Sequence, residues 1–213
     1  MERHTYRTRR RARPLVLILI AVSAAVVLAI VLDQGSSVSP LRTRIVALAQ
    51  SQLGYRTDPS NTYCNRFSAY WHSGTSCGPG RNSEPWCADF AAWVWQQAGA
   101  QVTYQFVHGD LNSSSASFYE WGVAHGTWHT AGSGYAPEPG DVAVYGLDQD
   151  TLVAQHVAIV TSAGAAGPDV VNGDGDRTGF SVVETGTNQA NADTPHSRAP
   201  LSGYVSPIPR HPT

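Results

Sequence analysis

Three short stretches hold the side chains that could do covalent chemistry. Cys87 heads "CADFAAWVWQQAG", His156 heads "HVAIVTS", and Asn172 and Asp174 sit in "VVNGDGD". A cysteine, an imidazole and an amide or carboxylate are the set required for attack on an acyl carbon. The thiolate bonds to carbon, the imidazole carries the proton, and the third group accepts the far ring N–H and so fixes the tautomer. Of the eight histidines only His156 begins a strand-like run; the others fall in the tails, in loops or at helix ends. Period-2 alternation points Asn172 and Asp174 the same way if their strand persists. Glu184 in "VVETGTN" is a further candidate for the third role.

Cys87 has other readings: a core thiol, half of a disulfide, or a metal ligand. Three cysteines leave one over in an oxidising compartment. Cys64 and Cys77 lie thirteen positions apart inside the polar stretch 54–83, which most needs a staple, so the favoured pair is Cys64–Cys77. The alternatives join Cys87 to one of them. No C-x₂-C pair is present, which disfavours zinc. Calcium is weighed at Asn172, Asp174 and Asp176, which alternate like an EF-hand loop, but Arg177 and Val183 take the places of its glycine and bidentate glutamate. A free Cys87 at a helix start is expected to have its thiolate favoured by unpaired N–H groups and the macrodipole.

The elements that must position these residues are legible from periodicity. Ile45, Leu48, Ala49 and Leu53 predict a helix over 41–53 with Gly54 as its cap. Cys87, Phe90, Ala91, Val94 and Ala98 predict a second, closed by Gly99 and with Pro85 suited to its first turn. Asn112 is a good N-cap for a third. From "APEPGDVAVYG" onward the pattern changes to β-rich runs at "HVAIVT", "DVVNG", "FSVVE" and "GYVSP". Helices first and strands afterwards predict an α+β fold with an antiparallel sheet. Asp89 reads as a dipole-compensating residue, and Trp71, Trp86 and Trp128 as candidates to line a cleft or stack on sugars.

Composition narrows the function classes. The chain has 213 residues, enough for one packed domain and an appendage. It contains no lysine, which excludes Schiff-base catalysis, a Ser-Lys dyad and a Walker phosphate loop. Its formal charge of -2 hides an asymmetry: six arginines against one glutamate occupy the first fourteen residues, leaving eight arginines against fifteen acids elsewhere. An acidic domain argues against nucleic acid as a partner.

The first forty residues predict a membrane anchor. Residues 1–14 form a basic tail, 15–32 an uncharged apolar run of spanning length, and 33–40 a small polar linker ahead of the domain at 41–213. Bulky Ile30 and Leu32 precede Asp33 and Gln34, so an uncleaved signal anchor is favoured over a cleaved signal. The positive-inside rule keeps the tail cytoplasmic and sends the domain outward.

These motifs together resemble the CHAP domain, the cysteine- and histidine-dependent amidohydrolases and peptidases of bacterial cell walls. "EPWCADFAAWVWQQAG" is similar to its W-C-A-x-F nucleophile helix, "PEPGDVAVY" to its P-x-x-G-D strand and "QHVAIVTS" to its H-V-x-I-V strand. "VVNGDGD" stands where the family has E-G-N, with Asn in place of Glu and Asp in place of Asn. The resemblance implies a papain-like fold, Cys87 as nucleophile, His156 as general base and acid, and Asn172, Asp174 or Glu184 as orienter. It implies peptidoglycan as substrate and no cofactor. The alternative is a wall-binding or division-associated module without turnover. Oligomeric state is left open.

Overall fold

The computed structural model describes residues 39–175, 181–193 and 198–210. The basic tail, the apolar run 15–32 and nearly all of the linker lie outside the described residues. Among the described residues no helix is long and apolar enough to cross a membrane.

Helix α1, Pro40–Ser51, begins where Ser39 accepts the Arg42 N–H and proline occupies the first helical position. Leu41, Ile45 and Ala49 form its buried stripe. The helix stops at Gln52, earlier than its apolar spacing predicts, and Gly54 does not cap it. Gly54, at φ +83°, instead turns its N–H onto the Val183 carbonyl at 2.9 Å, and Val183 returns the bond to Tyr55 at 2.9 Å. That reciprocal pair ties the end of α1 to a distant strand.

The stretch 54–83, expected to be a loop, has structure of its own. β1 (Cys64–Asn65), α2 (Arg66–Trp71), β2 (Thr75–Gly78) and β3 (Arg81–Ser83) build a small antiparallel sheet in the order β1-β3-β2. A disulfide joins Cys64 to Cys77, and Cys87 is free. The strands are two to four residues long and polar, too short for alternation to be visible in the sequence.

Helix α3, Cys87–Ala98, is closed by Gly99 at φ +95°. Pro85 lies just outside it, ahead of Trp86 at the N-cap. Helix α4, Ala116–Ala124, starts three residues later than an Asn112 cap predicts, because Asn112 accepts the Ser114 N–H at 2.9 Å and closes a turn ahead of the helix.

The main sheet is antiparallel throughout, with order β4-β10-β5-β6-β7-β8 and β9 paired to β10. Its strands are β4 (Trp128–Thr130), β5 (Val142–Tyr145), β6 (His156–Ser162), β7 (Asp169–Gly175), β8 (Val182–Gly186), β9 (Asn191–Asp193) and β10 (Arg198–Val205). The fold is α+β, with α3 packed on β6 and β7. Trp86, Phe90, Trp95, Val142, Val157, Ile159 and Val171 are fully buried between helices and sheet.

The "PEPGD" corner locks α1 to this sheet. Asp141 is buried and accepts from Arg42 Nη1 at 2.7 Å, the Glu138 N–H at 2.9 Å and the Tyr135 hydroxyl at 2.8 Å. Trp95 of α3 donates its indole N–H to the Gly140 carbonyl at 3.0 Å. One acidic side chain thus satisfies three donors, from α1 and from its own loop, which is what permits a carboxylate in the core.

Candidate active site

Cys87 is the first residue of α3, and its side chain is buried. Its Sγ lies 3.2 Å from the hydroxyl of Ser115. Main-chain groups of Val157 and Ala88 also hydrogen-bond the sulfur and favour the thiolate, while the charge of Asp174 opposes it. Desolvation outweighs them all and pushes the thiol up to about 11. The expectation of a helix-start thiolate at rest is therefore corrected. The end of a helix lowers a thiol's pKa only where water still reaches the charge, and here burial dominates.

The contact with Val157 sets the sulfur against the first residues of β6, whose leading residue is His156. The imidazole is buried, and its Nε2 lies 3.0 Å from Asn172 Oδ1. With the amide oxygen accepting, Nε2 carries the hydrogen and Nδ1 the lone pair. Strand register explains the meeting: Asn172 of β7 stands across from Ala158 of β6, which shares a face with His156 two positions earlier on that strand.

Asp174 has a different set of partners. The β7–β8 register shifts between Asn172 and Gly175, and Asp174 adopts φ +58°, so simple alternation does not carry through. Its Oδ2 accepts the Trp86 N–H at 3.1 Å, and its Oδ1 accepts the Ser181 hydroxyl at 2.7 Å. Ser181 also accepts the Trp86 indole N–H at 3.0 Å. Asp174 therefore satisfies the main-chain N–H of Trp86, the residue at the N-cap of α3, and ties the head of that helix to β7. Glu184 is buried on β8, directly across from Asn172. Asp176, the third member of the calcium pattern, lies outside the described residues.

The tryptophans separate by burial. Trp86 is fully buried and stacks on Phe67 at 5.3 Å, so it is a core residue and cannot bind sugars. Trp71 is half-buried and stacks on Tyr104 at 4.2 Å, and Trp128 packs edge-on against Tyr119 at 5.0 Å.

Asp89 is more than a dipole partner. It is fully buried, accepts the Tyr104 hydroxyl, and its Oδ2 has no hydrogen-bonding partner among the described residues. Desolvation, reinforced by the nearby Glu84 carboxylate, pushes it up to about 7. Sequence reasoning named Asp89 only as a dipole partner although it stands inside the W-C-A-x-F motif, and it missed Ser115, which lies in no recognisable motif; only the tertiary fold brings their partners to them.

Residues 79–173 match the CHAP domain family. The CHAP match takes in Cys87, His156 and Asn172 and ends one residue before Asp174. Among solved structures the chain is similar to NlpC2 from Trichomonas vaginalis, at 12% identity and a TM-score of 0.44, over 81% of this chain. It spans 48% of that structure's length. No curated protein matches the chain.

Proposed function

We propose that this chain is a membrane-anchored, extracytoplasmic cysteine amidase or endopeptidase that cleaves amide bonds in peptidoglycan. The CHAP match supports peptidoglycan amide hydrolysis in general terms. The observation that carries the mechanism is the His156–Asn172 pair, with Nε2 at 3.0 Å from Oδ1, on the strand against which the Cys87 sulfur is packed. Membrane anchoring rests on the composition of residues 1–32 alone.

In this reading Cys87 is neutral before substrate binds. His156 Nδ1 takes the thiol proton as Sγ bonds to the carbonyl carbon, giving an oxyanion and an imidazolium. The oxyanion collapses, the C–N bond breaks, and the imidazolium gives its proton to the departing amine. Water then attacks the thioester, its proton passing to His156. Collapse of the second oxyanion releases the carboxylic acid, and the leaving sulfur recovers its hydrogen from the imidazolium. Asn172 accepts the Nε2 hydrogen throughout, so that Nδ1 is the atom that takes up and returns the proton, and Asp174 holds the start of α3.

Purified sacculi digested with the protein should release fragments whose masses identify the amide bond cut. Cys87→Ala should abolish release while leaving the melting curve close to that of the parent. Turnover by Cys87→Ala would sink the mechanism.

The buried, neutral thiol also favours a second reading, a wall-binding module without turnover. Sacculi bound and sedimented with the protein, but chemically unchanged, would establish it.

A further inference from the structure

Serine at the start of a helix ordinarily turns its hydroxyl back onto the first free N–H groups. Ser115 stands at that position of α4, in helical backbone conformation, and makes no such bond. The turn ahead of the helix is braced by neighbours: Ser117 Oγ accepts the Asn112 N–H at 3.1 Å and donates to the Asn112 carbonyl at 3.2 Å, while Asn112 Oδ1 accepts the Ser114 N–H. The Ser115 hydroxyl is thereby released from the helix. It is buried, and it sits 3.2 Å from Cys87 Sγ, contributed by an element 28 positions away in sequence.

We infer that Ser115 is a catalytic residue whose hydroxyl holds the nucleophile through both of its ionisation states. This rests on the reading of Cys87 as nucleophile. A hydroxyl is the one side-chain group that can accept from S–H and then, by rotating about Cβ–Oγ, donate to S⁻ without any heavy atom moving. At rest it satisfies a buried thiol. During attack it supplies a donor to the anionic sulfur at the moment the proton leaves for His156, and again when the thioester breaks. A hydroxyl hydrogen bond counts for more here than in water because the sulfur is buried.

The titratable groups carried by α3 and by the strands packed against it make this donor matter. His156 lies on β6, Asp174 on β7 adds an opposing negative charge, and Asp89 in the same helix turns toward Tyr104 and Glu84 instead. Main-chain donors from Val157 and Ala88 complete the environment, and mutation cannot remove them. Ser115 is the side-chain donor among them that can be tested singly.

The experiment uses iodoacetamide and intact mass. With Cys64 and Cys77 joined, Cys87 is the free thiol, so each carbamidomethyl adduct reports on it alone. The alkylation rate is measured across pH for the parent chain, Ser115→Ala and Ser115→Thr. At every pH below the thiol's titration Ser115→Ala should be alkylated about 10- to 100-fold more slowly than the parent, the worth of a hydrogen bond to a charged group. Ser115→Thr, which keeps a hydroxyl, should bring the rate back toward the parent's. Melting curves of both variants should stay near the parent's, since the side chain caps nothing.

Coincident profiles for the parent and Ser115→Ala would overturn the assignment. So would an equal slowing in Ser115→Thr, which would mark a packing effect. The measurement requires no substrate: if sacculi are left intact by the parent chain while its alkylation profile still depends on Ser115, the hydrolase reading fails and the sulfur–hydroxyl assignment stands.

Discussion

Asn172 and Asp174 are two positions apart with different partners, so single substitutions separate their roles. Asn172→Ala removes the acceptor for His156 Nε2 and should lower kcat on peptidoglycan fragments by about 10²-fold, within the range set by positioned acid–base groups. Asp174→Ala removes the acceptor at the head of α3. It should cost about 1 kcal/mol of stability, read as a lower Tm, with a smaller loss of kcat. Asp89 gives a pH-dependent case. Its folded-state pKa lies above the unfolded value, so the fold favours the protonated form. Stability is therefore greatest below the ordinary carboxylate range, falls as pH rises toward about 7, and is level above that. Asp89→Asn keeps an acceptor for Tyr104 and cannot ionise. Its Tm advantage over the parent should be larger near pH 8 than near pH 4, by a few degrees, and thermal melts at both pH values test it. The residue types at the site were readable from the chain because acyl chemistry requires a thiol, an imidazole and an acceptor. The buried pKa values were not, because desolvation depends on neighbours brought in by the fold.

At the scale of elements, the packing of α3 on β7 leaves no room for a side chain at Gly173. A Cβ there would lie 2.5 Å from the Cβ of Phe90, which is fully buried and cannot give way. Gly173→Ala should force the helix off the strand, destabilise by about 1–3 kcal/mol and reduce activity together with Tm, because the displaced helix carries Cys87. Equal thermal stability in that variant would show that the contact relaxes freely. The elements that could be read in advance are the ones with a strong period. α3 shows its stripe in Phe90, Ala91, Val94 and Ala98, and β5 to β8 show theirs in runs of valine. What escaped notice is short or polar: β1 to β3 in the stretch 54–83, β4 at Trp128–Thr130, and β9 at Asn191–Asp193. Such strands are held by partners distant in sequence and by the disulfide, and local sequence contains no trace of either. The boundary of α1 was missed for a related reason. Gly54 is claimed by a bond to Val183, 129 positions along the chain, and that bond outcompetes the cap.

Across the whole molecule, the bond between Cys64 and Cys77 staples a segment whose short strands are polar and whose chief apolar anchor is the fully buried Phe67. Opening it should cost about 3 kcal/mol in the chain-entropy account, so reductant should lower Tm, with the small sheet becoming protease-sensitive before the main one. Limited proteolysis with and without reductant distinguishes this order from all-at-once collapse. β10 is hydrogen-bonded between β4 and β5 and so fills the interior of the main sheet, although it is the last strand in the sequence. During vectorial synthesis Cys87, His156 and Asn172 all leave the ribosome before residues 198–205 do. The nascent chain then holds His156 and Asn172 on β6 and β7 while the outer edge of β5 is unpaired and β4 and β9 have no strand to join. A premature stop anywhere ahead of residue 198 leaves that edge open.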